Sequence, residues 1–266
     1  RQPLDAEHRL PMIQFPANVS ASSESEEQLG RLDERPGVLR GGATLTLQTR
    51  QAQRLVKGRG YSAEKPAIIG LIGFANLVRT LWHGARADDP YADWWLLKVH
   101  DGLDQAQREL VTLEQGIVNR FVALGAIDVA QPVSEKPARI ALNFSNPYAF
   151  RAAGLIGRFD ALVCKVLSAR HVGLIGRDEA EKTLHQGGRW VRRALQSPVE
   201  YRLTGVTRDD VTQRTAKARQ AREAMGEIPG DVLSAAHRAP HAPTLASPRS
   251  SAVTDAVHLR TLPDEG

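Results

Sequence analysis

The chain is poor in most of the residues that announce chemistry. It has one cysteine, Cys164, in 266 residues, which excludes a disulfide framework and a multi-cysteine zinc site. Aromatic residues make up only 5%, thin material for the stacking platforms that hold single-stranded nucleic acid. No stretch of about 18 apolar residues occurs, so no transmembrane helix is expected. A basic-then-apolar leader is also lacking at the start, and the expected location is the cytoplasm. G-x-S-x-G, H-E-x-x-H, the Walker A lysine loop and the dinucleotide fingerprint are all missing. His83, His100, His171 and His185 have no ligand-like spacing. Asp88, Asp89 and Asp93 invite a magnesium-dependent nuclease reading, but as acids at a helix start they need no metal. Cys164 falls on the apolar face of its helix, as an inert thiol would. The expectation is a non-enzyme with neither cofactor nor metal.

What is present is charge, unevenly spread. The total is +5, yet residues 40–59 hold five basic side chains and no acid, and residues 139–222 hold sixteen basic against seven acidic. The three remaining stretches, 1–39, 60–138 and 223–266, are each net negative. Such alternation suits a surface that meets a polyanion, and a solvated charged face is the plainer alternative.

Two short stretches, one in each basic block, alternate with the period of a strand. Ala43-Thr44-Leu45-Thr46-Leu47-Gln48 sends its leucines one way and Thr44, Thr46 and Gln48 the other. Arg139-Ile140-Ala141-Leu142-Asn143-Phe144 likewise separates Arg139, Ala141 and Asn143 from the apolar set. The other long patterns are helical. Apolar residues at steps of three and four predict a long central helix over 92–124, started by Asp88-Asp89-Pro90. Further helices are expected over 50–58, 67–84, 148–169, 177–196 and 208–225. The last carries a basic stripe of Arg208, Arg214, Lys217, Arg219 and Arg222. Gly-Leu-Ile-Gly recurs at 70–73, 154–157 and 173–176 and reads as small residues that permit close helix contact.

The expected fold is therefore mostly α: a helical body with a long central helix and a small two-stranded antiparallel β-ribbon. Its organisation reads as a flexible Ser/Glu-rich arm over 1–37, a body over 38–225 and a Pro-rich tail over 226–266, laid over the body near Val232–Leu233 and then disordered. A two-stranded ribbon fits the major groove of B-DNA. Thr44, Thr46, Gln48, Arg139 and Asn143 are the candidate base contacts. Arg50, Arg54, Lys57 and Arg59 on the following helix are the candidate phosphate contacts. An ordinary hairpin capping a helical body is the plainer alternative. The strands can pair within one chain, as a pseudo-symmetric unit, or across a homodimer.

Three runs also carry a family resemblance. They are Leu45-Thr46-Leu47-Gln48-Thr49-Arg50-Gln51-Ala52-Gln53-Arg54-Leu55, Asp88-Asp89-Pro90-Tyr91-Ala92-Asp93-Trp94-Trp95 and Asn143-Phe144-Ser145-Asn146-Pro147-Tyr148-Ala149-Phe150-Arg151. They resemble the AcaB family of proteins encoded on integrative conjugative elements and plasmids, over about residues 38–240. The resemblance implies a ribbon-helix-helix-like fold and bacterial nucleoid location. It also implies regulation, as an activator, of conjugative transfer genes through promoter DNA. RNA polymerase or another regulator is the implied protein partner, and a non-enzymatic accessory protein of the conjugation machinery is the alternative function.

Overall fold

Alternation becomes strand in both predicted places. In the computed structural model, which describes residues 42–61, 67–122, 124–125 and 127–245, β1 (Ala43–Leu47) pairs antiparallel with β2 (Ala138–Leu142) within the same chain. Leu45 lies opposite Ile140, and Thr46 opposite Arg139. The ribbon thus needs no second copy. The arm expected over 1–37 and the end of the tail, 246–266, lie outside the described residues.

Each strand feeds a pair of helices. After β1 come α1 (Arg50–Lys57) and α2 (Leu71–Arg86); after β2 come α4 (Pro147–His171) and α5 (Arg177–Gln196). Between the two units runs α3 (Pro90–Val122), 33 residues and about 50 Å long at 1.5 Å per residue. Leu96, Val99, Leu103, Ala106 and Leu110 form its buried seam, the expected three-and-four spacing, and α3 packs on α2, α4 and α5. Completing the core from the other side are Tyr148, Ile156, Phe159, Leu162, Val191 and Leu195. Each side chain of this size stabilises by about 1.5–3 kcal/mol when fully buried. Among the described residues no helix is long and apolar enough to cross a membrane.

The helix starts follow capping chemistry. Thr49, Asn146 and Thr215 each accept a backbone N–H of the first turn. Asp89 accepts from the amides of Tyr91 and Ala92 at 2.8 and 3.2 Å and also takes the Tyr201 hydroxyl at 2.7 Å. Burial outweighs these bonds and pushes the Asp89 carboxyl above its ordinary range. A raised folded-state pKa means that Asp89 favours folding most below its unfolded value near 4. That advantage fades as pH rises through the folded value. Asparagine can make the same cap without the charge. Asp89→Asn is therefore expected to gain on the parent as pH rises from about 4 to 7 in urea titrations, and an unchanged or opposite trend would refute this. Asp89→Ala is expected to lose about 1–2 kcal/mol at either pH, through the missing cap.

Two expectations need correction. The helix predicted over 208–225 is two helices, α6 (Arg208–Thr212) and α7 (Ala216–Met225), broken where Arg214 adopts φ +54°. Thr207 and Asp210 form a capping box on the first helix, and Asp210 Oδ1 also accepts from the hydroxyl of Thr215, the N-cap of the second. The predicted stripe is broken with the helix. Arg208 is turned inward, Arg222 pairs with Glu227, and Lys217 lies 3.7 Å from Asp210.

The Gly-Leu-Ile-Gly repeats do not share one role either. Gly70 meets Gly58 backbone to backbone, where a Cβ on either would come within 2.4 Å of main-chain atoms, and Gly58 itself has φ +68°. Gly157 admits Leu45 of the ribbon against α4, whereas Gly154, Gly173 and Gly176 have no close neighbour among the described residues. Close helix contact is made instead by glycines outside the repeats: Gly187 of α5 against Phe159 and Leu162, and Gly84 of α2 against Ala92.

The segment read as a tail packs on the body as far as residue 245. It contains a one-turn helix, α8 (Gly230–Leu233), and buries Val232 and Ala239. Its anchor is polar: Asp93 is fully buried, takes two hydrogen bonds from Arg238 and one from Arg208, and so ties the start of α3 to both segments.

Candidate nucleic-acid interface

The ribbon has an inner and an outer face. Leu45, Leu47, Ile140 and Leu142 turn toward the core, while Thr44, Thr46, Arg139 and Ala141 are exposed. Register brings the exposed four together, with Thr44 opposite Ala141 and Thr46 opposite Arg139. Directly opposed side chains on one face have Cβ atoms about 4.5–5.5 Å apart. Among the described residues Thr44, Thr46 and Arg139 make no side-chain hydrogen bond or ion pair. Asn143 is exposed one residue beyond β2 and is equally unengaged.

Gln48 stands apart from the other predicted base contacts. β1 ends at Leu47, and Gln48 is half-buried with its Oε1 accepting from the Ser134 amide at 2.9 Å. Its carbonyl oxygen is spent on the loop that leads into β2.

The junction between β1 and α1 is held by a residue with no motif to betray it. Asp160 of α4 is buried and accepts three hydrogen bonds: from the Gln48 amide at 2.6 Å, the Thr49 amide at 2.9 Å and the Thr49 hydroxyl at 2.6 Å. Thr49 Oγ1 accepts in turn from the Ala52 amide. One carboxylate therefore sets the angle at which α1 leaves the ribbon. A lone aspartate in an apolar helix face was the available hint.

Arg50, Arg54 and Lys57 are exposed along α1, in the order and spacing expected. Arg54 and Lys57 lie in its last turn, where positive charge also suits the helix dipole. Arg59 is exposed just past α1, in a single bridge with Ile68. The three aspartates of the nuclease reading are engaged otherwise: Asp88 pairs with Arg208, Asp89 caps α3, and Asp93 holds two arginines.

Comparison with known proteins adds to this geometry. The family model for the transcriptional regulator AcaB matches residues 35–246. The crystal structure of selenomethionine-containing AcaB from uropathogenic E. coli matches with a TM-score of 0.53 at 13% identity, covering 73% of this chain and 95% of that one. At that identity the likeness concerns the fold. No curated protein matches the chain. On the extent of the family match, the chain belongs to the AcaB family of transcriptional regulators.

Proposed function

We propose that the chain is a sequence-specific DNA-binding regulator that inserts its ribbon in the major groove, in the manner of ribbon-helix-helix proteins. The observation that carries this reading is the outer face of the ribbon. Thr44, Thr46 and Arg139 project from a rigid, core-anchored strand pair with no partner of their own among the described residues. Arginine can pair bidentately with guanine, and threonine can donate, accept or touch a thymine methyl. Arg50, Arg54, Lys57 and Arg59 then meet phosphates beside the groove, and Asn143 reads or positions at the ribbon's edge. On this reading the targets are promoters of conjugative transfer genes and the outcome is activation.

The test is binding to promoter duplexes of the host element, titrated with salt. Phosphate contacts make affinity fall steeply as salt rises. Arg139→Ala and Thr46→Ala are expected to lose about 1–3 kcal/mol on the preferred site and to relax base preference. Arg54→Ala should weaken all sequences alike. Absence of binding at low salt would end this reading.

A second reading, an accessory protein that binds another protein, is favoured by one feature. Val111, Val122 and Ile127 are 43%, 76% and 64% exposed along and just past the distal half of α3. RNA polymerase, another regulator or a second copy of the chain would be the partner there.

A further inference from the structure

The strongest unassigned feature is a cleft of about 200 Å³ between α1 and α5, lined by Gln51, Arg54, His185 and Arg192 over a floor of Leu55, Phe159 and Leu184. Every titratable side chain in its lining is basic. The neighbouring acids are already taken. Glu181, one turn before His185, is held by Arg177 at 2.9 Å, and Asp160 is saturated by Gln48 and Thr49.

Arg192 is the unusual member. It is half-buried, yet among the described residues it has no hydrogen bond and no ion pair. Burial alone pulls its pKa below the ordinary arginine value, the mark of a guanidinium removed from water without a carboxylate in return. Its position is enabled by Gly188, one turn earlier on α5, where a Cβ would stand 3.1 Å from Arg192 Nη1. A guanidinium held this way is complementary to an anion that arrives from outside, and the apolar floor strengthens the attraction by lowering the local dielectric.

The cleft also adjoins the ribbon. Phe159 in its floor precedes Asp160, which anchors the end of β1, and Arg54 in its wall lies one turn after Arg50. We propose that this cleft binds a phosphate group, and that in the DNA complex the group is a backbone phosphate flanking the ribbon, clamped between Arg54 of α1 and Arg192 of α5. The DNA half of the proposal rests on the ribbon reading; the phosphate half does not.

Two measurements on the full chain separate these. In the first, inorganic phosphate is titrated while the His185 ring and arginine Nε resonances are followed by NMR. Saturable shifts at His185 and Arg192, lost in Arg54→Gln, are the expected result. In the second, duplex affinity is measured against salt for the parent, Arg192→Gln and Arg192→Lys. Arg192→Gln should weaken every sequence alike and lower the salt slope by about 0.9, the share of one phosphate; Arg192→Lys should keep most of the slope. Matching thermal melts confirm that the variants are folded. Phosphate shifts with an unaltered duplex slope would overturn the DNA assignment and leave a free-phosphate site. Absent shifts with an unaltered slope would overturn the proposal entirely. If the parent binds no duplex, the ribbon reading falls, and the phosphate titration alone decides the cleft.

Discussion

Replacing Asp160 by asparagine is expected to destabilise the chain by about 3 kcal/mol and to expose the amides of Gln48 and Thr49 to exchange. The carboxylate accepts on both oxygens, from Gln48 on Oδ2 and from the Thr49 amide and hydroxyl on Oδ1. Asparagine has one acceptor oxygen. Whichever way its amide turns, an NH₂ group faces a buried N–H donor, and a repulsive pair replaces a charge-assisted bond. The loss is local before it is global, because the contacts of Leu45 and Ile140 with the core remain. Urea denaturation measures the total, and amide exchange at residues 48 and 49 locates it. A variant within about 0.5 kcal/mol of the parent, with both amides still protected, would show that the hydrogen bonds at this junction are dispensable.

Asp93→Ala should have the larger effect, about 3–5 kcal/mol. Asp93 is fully buried, and its two partners are nearly so: the Arg208 side chain is 13% exposed and that of Arg238 19%. Removing the carboxylate leaves two guanidiniums in a site with little water to take them. Arg208 keeps Asp88 and the carbonyls of Val232 and Leu233, whereas Arg238 loses the partner of all its side-chain hydrogen bonds among the described residues. The segment around α8 should therefore detach first, and trypsin should cut after Arg238 at denaturant concentrations where the core is intact. Unchanged cutting together with a loss below 1 kcal/mol would refute the anchor.

The same residues give the run at 88–95 a structural role. Asp88 holds Arg208, Asp89 caps α3, the Tyr91 hydroxyl donates to the Gly226 carbonyl, and Asp93 grips two arginines. Trp94 and Trp95 sandwich with Lys98, whose Nζ lies 3.8 and 3.5 Å from their ring centroids. The motif that reads most like chemistry is a clasp for the C-terminal segment.

Features governed by neighbours in sequence were legible from sequence. The strands are visible because alternation is a property of five consecutive residues, and α3 because its seam repeats over seven turns. The outer-face membership of Thr44, Thr46 and Arg139 follows from the same alternation. Gln48 departs from it because the strand had already ended, its amide drawn off by an aspartate 112 residues away. Asp160, the clasp at Asp93 and the cleft at Arg192 each depend on distant elements meeting, which no local pattern records. The break at Arg214 is an intermediate case. Thr207 and Thr215 are both good N-caps, but the apolar and basic periodicity running through them masks the stop. Proline-rich composition similarly conceals Ala239 as an anchor of residues 226–245, whereas Val232, beside Leu233 in an otherwise polar stretch, was legible.

A ribbon closed within one polypeptide carries a freedom denied to one shared by two identical subunits. Identical subunits must present the same side chains on both strands, and their target inherits that dyad as a palindrome. Here one strand offers Thr44 and Thr46 and the other Arg139 and Ala141. Approached from its two ends, the ribbon is a different object. On the proposed reading, a DNA site that matches it has a direction, so a single bound chain would mark not only a position but which way that position faces.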